Sequence, residues 1–295
     1  MNPCKLSIVL GSVVATTLSS LQAADSLSDL VHTTEAVKVA GGFRFTEGPV
    51  SDAEGNLYFS DIPAHTIYKF SAEGRLSVHN GESGNSNGLR LDADGRLLAC
   101  EHGGRRVSAT DLETGESETL IAQYQGAQLN SPNDLWIDPD GGLYFTDPRY
   151  GSRDTVEQDG FHVYYLPAGA NEAIRVVDDM VMPNGIIGDS ESDILYITDN
   201  GGGQTYRYRR NEDGTLSDKT PFAPYGGDGM TLDEQGNLYI TVDGVRVFSP
   251  QGDELGMIAS AERPANVTFG GVDGKTLFIT ARTSLYAIRM TVRGQ

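Results

Sequence analysis

The sequence predicts an all-β fold, a six-bladed β-propeller closed by an N-terminal strand in the last blade. Three observations carry that expectation. A turn-and-strand phrase occurs six times, an oxygen-bearing or acidic residue stands five positions before each copy, and these lead residues lie 38 to 51 residues apart. That spacing holds about four short strands, the content of one propeller blade. The composition agrees. A chain of 295 residues that is 38% hydrophobic is too apolar to be disordered, and 21% charged residues are too few for a coiled coil.

Taken in chain order, residues 1–23 read as a cleaved secretory signal. Lys5 gives a short basic start, Leu6 to Leu21 is uncharged and apolar or small, and Leu21-Gln22-Ala23 offers a cleavage site. The alternative, a membrane anchor, fits less well, because the apolar stretch is short and interrupted by Ser and Thr. Residues 24–295 are expected to form a single propeller domain. Loss of Lys5 takes the net charge from −19 to −20 and leaves Cys100 as the only cysteine, so no internal disulfide forms and Cys100 is expected in a buried strand. The run Glu35 to Ala40 is a strand with no unit of its own. It is expected to complete the last blade, since closure removes a free edge.

The phrases follow. They are Asp52 to Asp61, Asp92 to Glu101, Asp138 to Asp147, a looser copy at Asp189 to Asp199, Asp233 to Val242 and Gly271 to Thr280. Asp, Asn and Gly supply a turn in each, and alternating aromatic and β-branched residues supply the strand after it. The lead residues are Glu47, Asn87, Asn133, Asn184, Asp228 and Asn266. In unit 1 the strands are expected near 49–53, 56–61, 66–70 and 76–80, and in unit 5 near 229–233, 238–242, 245–249 and 255–259. Unit 6 offers only 266–270, 277–281 and 284–290. An open sandwich of the same strands is the competing architecture, and six in-phase copies argue against it.

In a propeller the first strand of each blade lines the central channel, so residues of equal phase form a ring. All six lead residues end in oxygen-bearing groups, and none is His or Cys. Such a ring suits a hard divalent cation, Ca²⁺ more than Zn²⁺, with Mg²⁺ and Mn²⁺ as further candidates. At any single position Asn or Asp needs no more explanation than a strand-initiating turn; the common phase is what points to a metal. The net charge of −19 disfavours nucleic acid and anionic membranes as partners. Other matches are weak. Gly84-Asn-Ser86-Asn-Gly88 has no helix after it, as a nucleophile elbow requires. The stretch from Asp92 to Glu101 lacks the flanking helices of an EF-hand.

Glu47-Gly-Pro, Ser131-Pro-Asn-Asp134, Pro183-Asn-Gly185 and Asp228-Gly-Met230 resemble the gluconolactonase/regucalcin family of six-bladed propellers. Leu129 to Asp134 with Phe145 to Gly151, and Ala99 to Val107, resemble its bacterial gluconolactonase branch. The resemblance spans about residues 40 to 290. It implies hydrolysis of a sugar lactone at one divalent cation, with Glu47, Asn184 and Asp228 as metal ligands and Asn133 contacting metal or substrate. Asn87 and Asn266 keep the phase without an implied role. Asp228 is the candidate to activate water. His102, Arg106, Asn130, Asn133, Arg149 and Tyr150 are expected to bind substrate, with Pro148 to Gly160 as a lid or a plain loop. The expected partner is a small-molecule lactone, and the expected location is the periplasm or the cell exterior. Two other functions compete: a non-catalytic Ca²⁺-binding propeller that recognises a sugar or protein, and a lactonase with phosphotriesterase side activity.

Overall fold

A computed structural model describes residues 24–154 and 156–295; the expected signal segment lies outside them. Six four-stranded antiparallel sheets follow one another along the chain as the blades of a propeller. Their innermost strands are Thr46–Ser51, Ser86–Leu91, Leu135–Ile137, Pro183–Gly188, Met230–Leu232 and Asn266–Gly270. In blade 1 the other strands are Leu57–Asp61, Thr66–Phe70 and Leu76–Asn80. The first strand thus begins earlier than the phrase alone suggests, and Glu47 sits inside it rather than ahead of it.

Closure occurs as expected. Val37–Gly41 pairs antiparallel with Ser284–Arg289, matching Val37 to Ala287 and Gly41 to Ser284, and becomes the fourth strand of blade 6. A short helix, Leu27–Leu30, precedes it, with Leu27 and Leu30 buried. Among the described residues no helix is long and apolar enough to cross a membrane.

The core lies between blades rather than within them. Leu98, Cys100, Val107 and Ile121 of blade 2 meet Leu135, Leu143, Phe145 and Tyr164 of blade 3. Val245, Val247 and Ile258 of blade 5 meet Val267, Ile279 and Ile288 of blade 6, where Leu27, Leu30 and Val31 also pack. Each sheet buries both faces against neighbours, so its second strand is buried along its whole length, as in Leu57–Asp61 and Leu143–Asp147. At the axis the inner strands approach so closely that only hydrogen fits at certain α-carbons. A β-carbon on Gly48, whose φ is 45°, would overlap the Asn87 carbonyl, and one on Gly185 would overlap that of Asp228.

Candidate active site

Two features of the repeated phrase fix the lead residues in space. In three copies its last carboxylate clamps the loop ahead of its own blade's inner strand. Asp61 accepts the backbone N–H groups of Arg44 (2.9 Å) and Phe45 (3.0 Å). Asp147 takes those of Asn130 (2.8 Å) and Ser131 (2.7 Å), and Asp199 those of Val181 (2.9 Å) and Met182 (2.8 Å). The hydroxyl just before that carboxylate holds the following blade. Ser60 donates to the Asn87 carbonyl (2.9 Å), Thr146 to that of Asn184 (2.7 Å), and Thr198 to that of Asp228 (3.3 Å). Asn87, Asn184 and Asp228 are therefore gripped through their own backbone, which leaves their side chains for the channel.

Five of the six lead residues, Glu47, Asn87, Asn133, Asn184 and Asp228, line one cavity of about 240 Å³ with His102, Tyr150, Phe45, Ile62 and Pro63. The sixth, Asn266, hydrogen-bonds toward Glu47 and Asp134 and favours their charged forms. Glu47 is buried, whereas Asp228 keeps partial exposure. Burial first, and then the neighbouring Asp228 carboxylate, push the Glu47 carboxyl well above its usual range. Asp228 is raised too, by burial and by Asp134, with Arg263 and Arg282 opposing. Tyr150 is pushed up by burial and stays protonated. Its hydroxyl accepts a hydrogen bond from the Asn184 amide at 2.7 Å, so its own proton is left to donate elsewhere. Burial, with Arg149 nearby, lowers His102 to about 4, so the imidazole is neutral at pH 7.

The donor set fits a hard cation. Two carboxylates that repel each other in a buried cavity gain when a divalent charge lies between them. Among the described residues, no three of His, Cys, Asp and Glu converge as a metal cluster. A cation here would complete its oxygen shell from the amides, which suits Ca²⁺ chemistry. The side chains of Asn87 and Asn133 hydrogen-bond to no protein group among the described residues and border the cavity.

Three residues expected to bind substrate are not brought to the cavity lining. Arg106 instead forms a two-pronged ion pair with Glu101, at 2.8 and 2.9 Å, and also donates to Thr119. Asn130 is fully buried, with its amide donating to the carbonyls of Asp147 and Gly160. Arg149 turns to the carbonyls of Ser152 and Asn130. In each case a nearby acceptor in the scaffold uses the donor that the sequence leaves unassigned. The connection after Pro148 contributes Tyr150 to the cavity and is tied down by Glu157, which pairs with Arg105 and accepts the Gln128 N–H. Phe45, Ile62 and Pro63, the apolar wall, escape a reading based on polar phase. Asp134 also does, although its place directly after a lead residue was the available signal.

The fold and site define a six-bladed β-propeller with oxygen donors converging on its axis. The chain belongs to the SMP-30/Gluconolactonase/LRE-like region family, whose model matches residues 45–283. Among particular relatives, it is 28% identical to a gluconolactonase of Zymomonas mobilis, over 87% of this chain and 81% of that protein. The solved structure of a gluconolactonase from Xanthomonas campestris superposes with a TM-score of 0.81 at 30% identity, covering 86% of this chain and 89% of that one. A calcium-binding regucalcin of Agrobacterium tumefaciens shares the fold, with a TM-score of 0.74 at 17% identity over 88% and 96% of the two chains.

Proposed function

We propose that the protein is a hydrolase that opens a sugar lactone in the axial cavity with the help of one divalent cation, Ca²⁺ in first place. The observation that carries this reading is the meeting of Glu47 and Asp228 with Asn87, Asn133 and Asn184 in a single cavity, in a chain whose relatives include gluconolactonases. Glu47, Asn184 and Asp228 would hold the cation, with Asn133 at its edge. When bound, the cation polarises the lactone carbonyl and stabilises the developing oxyanion.

The chain's own groups do the remaining work. Asp228 is the more open of the two carboxylates and takes the proton of the attacking water. The water oxygen bonds to the carbonyl carbon, the acyl–oxygen bond breaks, and the ring oxygen leaves as the hydroxyl of the open acid by taking back the proton that Asp228 received. Tyr150 and His102 border the same cavity and orient the substrate, Tyr150 as a hydrogen-bond donor. Phe45, Ile62 and Pro63 exclude bulk water from one side. The leader-like residues 1–23 support a periplasmic or extracellular setting for this chemistry.

The test is lactone hydrolysis followed by pH-stat. A chelator should abolish it and calcium should restore it. D228N is expected to lower kcat by about a hundredfold or more, with an unchanged melting temperature. Full turnover in thoroughly metal-depleted protein would refute the reading. Calcium binding without turnover of any aldonolactone would favour a binding propeller instead.

A further inference from the structure

We propose that Tyr150 is a positioning residue for the axial cation, its phenol holding the Asn184 amide so that the amide oxygen, and not the nitrogen, is left for the metal. This rests on the cation of the reading above and does not require the lactone. An asparagine ligates a hard cation through its carbonyl oxygen alone. The two ends of its amide are nearly equal in shape, so hydrogen bonds decide which way each one faces. Here the Asn184 amide nitrogen donates to the Tyr150 hydroxyl at 2.7 Å. The same side chain hydrogen-bonds to the Asp228 carboxylate, which when ionised can only accept. Both N–H groups are thereby used. The oxygen is the uncommitted atom, on a residue that borders the axial cavity.

Neither the repeat nor the core accounts for this tyrosine. Three positions past the end of the phrase, the other five blades carry Ala64, Gly104, Gly202, Val245 and Thr283. Among the described residues Tyr150 belongs to none of the apolar clusters between blades. Its place is nonetheless fixed from both sides. Arg149, just before it, donates to the carbonyls of Asn130 and Ser152, each at 2.9 Å. Beyond it, Glu157 pairs with Arg105 at 3.3 Å, and the Gly160 carbonyl accepts the Asn130 amide at 2.9 Å. The connection after Pro148 is thus a strap that carries one phenol from blade 3 to a lead residue of blade 4. Asn184 is held from blade 3 twice over, since Thr146 donates to its main-chain carbonyl at 2.7 Å. The side chains of Asn87 and Asn133 have no such partner among the described residues. Of the three asparagines at the cavity, Asn184 is therefore the one whose amide the scaffold orients. Removing an outer partner of this kind typically costs about 10- to 100-fold in metal affinity.

The test is calorimetric titration of calcium alone into chelator-treated wild type, Y150F, N184D and the double variant. Y150F keeps the ring and removes the acceptor. It is expected to weaken calcium about tenfold or more, while the calcium-free protein melts within about 4 °C of the wild type, the scale of one hydrogen bond. N184D puts oxygen at both ends of the side chain, so no orientation remains to be set. In that background Y150F should change calcium affinity by less than about twofold. Should N184D not fold, N184A removes the ligand outright and Y150F should again add less than about twofold. A tyrosine that only packs would cost the same in either background. That result, or an unchanged calcium affinity in Y150F, overturns the proposal. Lactone hydrolysis at saturating calcium is followed in parallel. Calcium bound by the wild type and weakened by Y150F, with no lactone turned over, refutes the lactone-opening reading and leaves this proposal standing. Turnover with equal calcium affinity in wild type and Y150F does the reverse, and a wild type that binds no divalent cation overturns both.

Discussion

His102 shows how one side chain ties the site to the stability of the fold. Its imidazole borders the cavity, and its Nε2 is buried with no partner among the described residues. Burial lowers its pKa to about 4, against about 6.5 in an unfolded chain. The neutral form therefore belongs to the folded state. The sign follows from linkage: below pH 6.5 the unfolded chain binds a proton that the folded one refuses, so stability is complete above 6.5 and falls as pH drops toward 4. The expected loss from this residue is about 2–3 kcal/mol. H102Q, which has no proton to gain, should lose less stability between pH 7.5 and 4.5 by about that amount. Urea denaturation of both proteins at the two pH values measures it, and equal losses would show that His102 protonates as freely folded as unfolded.

At the scale of one element, the strand that ends each phrase carries more information than its β-propensity. Thr146 lies in Leu143–Asp147 and is fully buried. Its hydroxyl donates to the Asn184 carbonyl at 2.7 Å and accepts the Asp134 N–H at 3.1 Å. T146V keeps the shape and strands both groups, at about 1–3 kcal/mol each. The expectation is about 2–4 kcal/mol less stability by chemical denaturation, with weaker calcium binding because Asn184 loses its anchor. A loss within experimental error would show that the hydroxyl is not a tie. The same strands explain how much could be read from sequence. Lead residues repeat in phase, so five of them could be placed on one cavity without coordinates. An acidic residue ends four of the six phrases, Asp61, Glu101, Asp147 and Asp199, yet the partners, such as Asn130 and Ser131 for Asp147, lie in a loop whose path periodicity does not give. Arg106 looked available because its partner Glu101 sits across a strand pair, a contact that depends on register. Phe45 reaches the cavity from the bend just ahead of Thr46–Ser51 and Pro63 from the turn Ile62–Ala64, where no repeat points.

At the scale of the whole molecule, the ring is sound only where its two ends meet. The seam is in blade 6, where Val37–Gly41 covers the edge of Ser284–Arg289, and the chain then passes directly into Thr46 and Glu47. Thr46 bonds back across the seam to the carbonyls of Arg282 and Ser284. The separation of Glu47 from Asp228 is therefore set by closure as well as by the blades between them. Removing residues 24–41 bares one strand edge and withdraws Leu27, Leu30 and Val31 from the core shared by blades 5 and 6. Three buried aliphatic side chains contribute about 5–9 kcal/mol, which for a domain of this size corresponds to a drop in Tm of about 10–25 °C. The truncated protein should also self-associate in size-exclusion chromatography with light scattering, because an exposed edge pairs with its copies. Calcium affinity should fall with it, since a slackened seam lets the two carboxylates drift apart. A monomer of unchanged Tm and unchanged calcium affinity would mean that the interfaces between blades hold the ring shut without the closing strand, and that Glu47 is placed by blade 1 alone.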